Sequence, residues 1–72
     1  MDDFPLILKE LMDETNTTTR VLANYLNVQI RNVQRYLKGE QIPPAVKLIA
    51  IADYFDVSLD YLVGRSDDPK RY

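Results

Sequence analysis

The sequence predicts an all-α fold, five short helices around one core. Two observations carry this. Apolar residues recur at three- and four-residue steps in several separate stretches. Those stretches are divided by residues that start or stop helices, among them Thr18, Asn27, Gly39, Pro43, Pro44, Ser58 and Gly64. No strand pattern competes: "VKLIAIA" (Val46 to Ala52) lacks alternation and is flanked as a helix.

The first helix takes Phe4, Ile7, Leu8 and Leu11 as its apolar side. Asp2 or Asp3 caps it, and Pro5 sits in the first turn, where its missing N–H is tolerated. "TNTTT" (Thr15 to Thr19) is a break, because these side chains compete for backbone hydrogen bonds. Thr18 caps a second helix carrying Val21, Leu22, Tyr25 and Leu26. Asn27 tolerates the left-handed conformation that ends a helix. Val28 turns inward, and Gln29 leads into a third helix over about 29–38, with Val33, Tyr36 and Leu37 on its apolar side. Gly39 stops it. Pro43 and Pro44 open a fourth helix, where Ala45, Leu48, Ile51, Ala52 and Phe55 repeat. Ser58 caps a short fifth helix, "LDYLV", which Gly64 ends. Residues 1–64 read as one domain and 65–72 ("RSDDPKRY") as a polar tail expected to be loose.

Composition narrows the function. Seventy-two residues, 46% hydrophobic, leave room for one small domain. There is no cysteine and no histidine, so thiolate chemistry and the commonest general base are excluded, and only carboxylates remain as metal ligands. No close pair of acids on one helix face looks catalytic, so no enzymatic activity, metal or cofactor is expected. No apolar run approaches the roughly 18 residues of a membrane span. The start, "MDDFPLILKE", is acidic where a signal peptide needs positive charge. The expectation is a soluble cytoplasmic protein.

The net charge of −2 argues mildly against nucleic acid, but its distribution argues for it. Residues 1–17 sum to −4 and residues 48–72 to −2. Between them, Arg20, Arg31, Arg35, Lys38 and Lys47 against Glu40 alone give +4. Such a band is the footprint of a polyanion partner, or else uneven scatter on a small helical protein.

The third helix decides between these readings. A turn of about three residues, centred on Asn27 and Val28, joins it to the second helix, the spacing of a helix-turn-helix. Val33 and Leu37 point one way. Arg31 and Arg35 stack on another face, with Ile30, Gln34 and Lys38 beside them at the same spacing. Arginine forks onto guanine, amides reach adenine or phosphate, and lysine neutralises phosphate. A carboxylate on that face would be repelled by a DNA backbone, a physical reason for its absence.

From about Phe4 to Gly64 the sequence resembles the Cro/C1-type helix-turn-helix repressors, the xenobiotic-response-element family. "TTRVLA" (Thr18 to Ala23) matches the opening of the family's second helix and "NVQ" (Asn27 to Gln29) its turn. Val33, Gln34, Arg35 and Gly39 match the family's third helix, and "VSLDYL" (Val57 to Leu62) its ending. The resemblance implies a compact five-helix domain of the lambda-repressor-like DNA-binding type. Departures are Thr19 in place of a glutamine and Asn27 in place of the turn glycine. Met12 and Leu37 replace an arginine–glutamate pair, so two apolar residues are expected to meet between the first and third helices. A lone carboxylate at position 37 is expected to cost about 3–5 kcal/mol there.

By this resemblance Ile30, Arg31 and Arg35 are the leading base contacts, with Asn32 and Gln34 behind them. The competing reading is packing for Ile30, solvated surface charge for the arginines, and a cap or a bond to a neighbouring helix for Asn32. Thr19, Gln29, Lys38 and Gln41 are phosphate candidates near helix starts and the following loop; plain capping is the alternative for Thr19 and Gln29. Arg20 and Lys47 read as ordinary surface charge, and nothing in the pattern explains Glu40. The family pairs through its last helix, which makes Leu59, Tyr61 and Val63 candidates for a dimer interface. The reading is a transcriptional regulator, expected to repress as a homodimer on a two-fold double-stranded DNA operator. The alternative is a protein-interaction module of the same fold, such as an antitoxin or a regulator held by a protein antagonist.

Overall fold

In the computed structural model, which describes residues 3–71, five helices follow one another. They are α1 (Phe4–Thr15), α2 (Thr19–Leu26), α3 (Ile30–Lys38), α4 (Ala45–Phe55) and α5 (Leu59–Leu62). No strand occurs among the described residues.

All five helices end by the same device. Asn16, Asn27, Gly39, Asp56 and Gly64 adopt positive φ, between 54° and 82°. The N–H of the next residue reaches back five positions: Thr17 to Met12, Val28 to Ala23, Glu40 to Arg35, Val57 to Ala52, and Arg65 to Asp60, at 2.8–3.0 Å. This is the Schellman ending, which satisfies carbonyls the helix leaves without partners. Asn27, Gly39 and Gly64 are legible as stops in the sequence. Asn16 and Asp56 are not glycines, but short polar side chains tolerate the left-handed region. At Gly39 the constraint is its φ of 75°, since a Cβ there would meet Pro5 Cγ at an ordinary contact distance of 3.4 Å.

Two helix starts follow the sequence reading. Thr18 Oγ1 accepts from the Val21 N–H at 3.1 Å, and Ser58 Oγ from that of Tyr61 at 3.0 Å. Asp3 stands at the cap position of α1, but its side chain accepts no capping bond; Asp2 lies outside the described residues.

The core is Phe4, Leu8, Leu11 and Met12 of α1, Leu22, Ala23 and Leu26 of α2, Val33 and Tyr36 of α3, Ile51 and Ala52 of α4, and Val57 and Leu62. Burial corrects the expected apolar faces in two places. On α2, Val21 and Tyr25 are exposed, and Ala23 is buried instead. Stripes 21/25 and 22/26 both have helical spacing, and packing against α3 and α4 selects the second. Tyr25 instead lays its ring 4.8 Å from that of Tyr54, at a tilt of 59°. On α4, Ala45 is exposed, while Leu48 and Phe55 are half-buried around Ile51 and Ala52.

Residues 65–71 lie back over the junction of α4 and α5. The Ser58 N–H donates to the Pro69 carbonyl at 2.9 Å. Arg71 donates to the Ala52 carbonyl at 3.3 Å and to Asp53 Oδ1 at 2.6 Å. The segment is polar, as its sequence indicates, and Pro69 and Arg71 tie it to α4 and to the start of α5.

Candidate nucleic-acid interface

Three residues, Asn27 to Gln29, separate α2 from α3. Asn27 reverses the chain at φ 57°. Half-buried Val28 packs against the core, anchoring the turn from inside. Gln29 then starts α3 through its backbone, accepting from the Asn32 N–H at 2.9 Å. Its side chain makes no capping bond and is exposed, so the plain-capping reading of Gln29 does not hold.

The α3 helix divides cleanly. Val33 and Tyr36 are buried, and Asn32 and Leu37 are half-buried. Ile30, Arg31, Gln34, Arg35 and Lys38 are exposed together on the other side. Four of the five base-contact candidates therefore share one open face, and Asn32 lies at its margin. Among the described residues no carboxylate pairs with Arg31, Arg35 or Lys38. Arg35 and Lys38 complement the negative end of the helix dipole. Arg31 does the opposite: it sits in the first turn, where a cation opposes the dipole and an anion would be favoured. The arrangement presents a fork of donors and an apolar methyl-bearing residue on a rod about the width of a DNA major groove.

The phosphate candidates divide. Gln29 and Lys38, at the two ends of α3, are exposed. Thr19 and Gln41 are half-buried, and Thr19 opens onto a cavity between α1 and α3. In the candidate dimer region Leu59 is exposed, whereas Tyr61 and Val63 are half-buried. A larger exposed apolar set, Ile42, Val46 and Ile49, went unassigned in the sequence reading. The signal was present: "AVKLIAIA" holds more apolar side chains than one helix face can bury. Lys47, read as surface charge, is instead half-buried and bonded to the end of α2.

The helix-turn-helix family profile matches residues 8–62, which span all of α2, the turn and α3. The chain belongs to the helix-turn-helix family. Among curated relatives, it is 32% identical over 62 residues to YobD of Bacillus subtilis (strain 168), named an uncharacterized HTH-type transcriptional regulator. That match covers 86% of this chain and 55% of the relative. It is 32% identical over 50 residues to the cryptic phage CTXphi transcriptional repressor RstR of Vibrio cholerae, covering 69% of this chain and 45% of that one. The crystal structure of a transcriptional regulator from Listeria innocua superposes with a TM-score of 0.82 at 43% identity, covering 85% of this chain and 57% of that one. This helix-turn-helix chain thus spans about half the length of the relatives it matches. None of these names is an enzyme's. Among the described residues, no helix is long and apolar enough to cross a membrane.

Proposed function

We propose that this helix-turn-helix domain binds double-stranded DNA sequence-specifically and serves a transcriptional repressor. The observation that carries this is the open face of α3, where two arginines, a glutamine, a lysine and an isoleucine stand together with no carboxylate partner among the described residues. In this reading α3 lies in the major groove. Arg31 and Arg35 fork onto guanine, Gln34 meets a base or phosphate, Ile30 covers a thymine methyl, and Asn32 reaches in from the margin. Lys38, Gln29, Thr19 and Gln41 hold the flanking phosphates. Repression draws support from the name of the phage relative RstR; occlusion of the operator, in the cytoplasm, belongs to the same reading.

One copy covers too little DNA for tight specific binding, so the domain acts as a homodimer on a two-fold operator. Leu59, with the exposed edges of Tyr61 and Val63, supplies the pairing surface. Selection of bound duplexes from a random DNA pool, followed by footprinting, tests both claims. Two related half-sites about 34–36 Å apart are expected, with binding that weakens steeply as salt rises. A single half-site occupied by one copy would remove the dimer. Equal retention of all sequences would remove specific recognition. The protein-interaction alternative draws on the exposed Ile42, Val46 and Ile49, and a protein partner bound through them would hold as salt rises.

A further inference from the structure

The helices α2, α3 and α4 share an unusual feature. None has an acid in its first turn, and each has a base there instead: Arg20, Arg31 and Lys47. A cation in that position opposes the positive end of its own helix dipole. Arg20 and Arg31 are exposed, where water screens the opposition. Lys47 is half-buried, and its ammonium is directed across to another helix. Its Nζ donates to the Leu26 carbonyl at 2.6 Å.

Leu26 is the last residue of α2, whose final turn has no base of its own. Its carbonyl is among those a helix end leaves without an intrahelical partner. The ammonium therefore leaves the unfavourable end of one dipole and occupies the favourable end of another, through a charge-assisted bond. The next three residues, Asn27, Val28 and Gln29, are the turn that aims α3. We propose that Lys47 is a positioning residue for recognition: from α4 it clamps the end of α2 and so fixes the turn and the tilt of α3. The inference rests on the DNA-binding reading and assigns Lys47 no contact with DNA. Because base edges demand closer registry than phosphates, a loosened turn weakens specific binding more than random binding.

The test compares the wild-type chain with Lys47→Met and Lys47→Arg. Each is measured on a selected site and on random duplex across a range of salt, together with amide hydrogen exchange. For Lys47→Met, affinity for the selected site is expected to fall roughly three- to tenfold, part of what a charged hydrogen bond contributes. Random-duplex affinity and the salt slope stay unchanged, and exchange quickens at the Val28 and Asn32 amides but not at Leu8. Lys47→Arg, which can still reach the carbonyl, restores most of the loss. Should Lys47→Met not fold, Lys47→Gln takes its place. Equal losses on selected and random DNA, with a salt slope shallower by about one, would make Lys47 a phosphate contact and overturn the proposal. So would unchanged affinity with unchanged exchange. If the wild-type chain selects no DNA sequence, the functional reading fails by itself, and exchange at Val28 and Asn32 still decides whether the clamp exists.

Discussion

Met12 of α1 and Leu37 of α3 line one cavity of about 370 Å³, together with Lys9, Asp13, Thr17 and Thr19. The resemblance to the Cro/C1-type repressors implies an arginine–glutamate pair at these two positions. A buried pair often gains little over apolar groups, because desolvation offsets the attraction, so the replacement need not weaken the core.

Introducing one charge is different. Leu37 is half-buried beside an open cavity, so the carboxylate of Leu37→Glu has a route to water. The expected cost drops from that of a sealed site to about 1–3 kcal/mol. Adding Met12→Arg should recover part of it, since the two positions face the same space. Denaturant melts of both single variants and the double variant complete the cycle. Strict additivity would mean that the two positions do not interact.

Arg31 and Lys38 should fail differently. Arg31→Ala is expected to weaken the preferred site by about 1–3 kcal/mol and to relax selection at one base position. Lys38→Ala should weaken all sequences alike and flatten the salt dependence. Titrations of selected and random duplexes at several salt concentrations separate the two, and an equal loss on both duplexes for Arg31→Ala would demote it to a phosphate contact.

The last turn of α4 holds Asp53 and no base, and Asp56 follows at its cap, charges of the wrong sign for the negative end of a helix dipole. Arg71, arriving from the tail, lies 2.6 Å from Asp53 and 3.9 Å from Asp56. Arg71→Gln should release the tail, so the Ser58 amide, which donates to Pro69, should exchange faster. Raising salt on the wild-type chain should act in the same direction, because the pair is partly exposed. Unaltered exchange at Ser58 in the variant would show that the tail is held without Arg71.

Tyr36 is 1% exposed, and burial raises its phenol above the ordinary value of 10.0. The folded state thus favours the neutral phenol. Its contribution is fully present below pH 10.0 and is lost as pH rises through the higher folded-state value. Stability should decline in that alkaline window, and Tyr36→Phe should flatten the decline. Melts of both proteins across the range would show it; parallel curves would place the alkaline loss on other groups.

Much of this protein is decided within a few residues of chain. Thr18 and Ser58 cap, and Asn27 and Gly39 reverse, because the groups that satisfy or permit those conformations belong to the same or the next turn. The recognition face is local too: residues 30, 34 and 38, and 31 and 35, align on any helix. What the sequence left open depends on where other helices lie. On α2 the stripes 21/25 and 22/26 are equally periodic, and only packing puts Leu22 and Leu26 inside and leaves Val21 and Tyr25 out. Lys47 and Leu26 are 21 residues apart, and Arg71 and Asp53 are 18 apart. No periodicity connects such distances. A charge on a flexible stem can reach any carbonyl or carboxylate the fold brings near, so its partner is fixed only when the helices are packed.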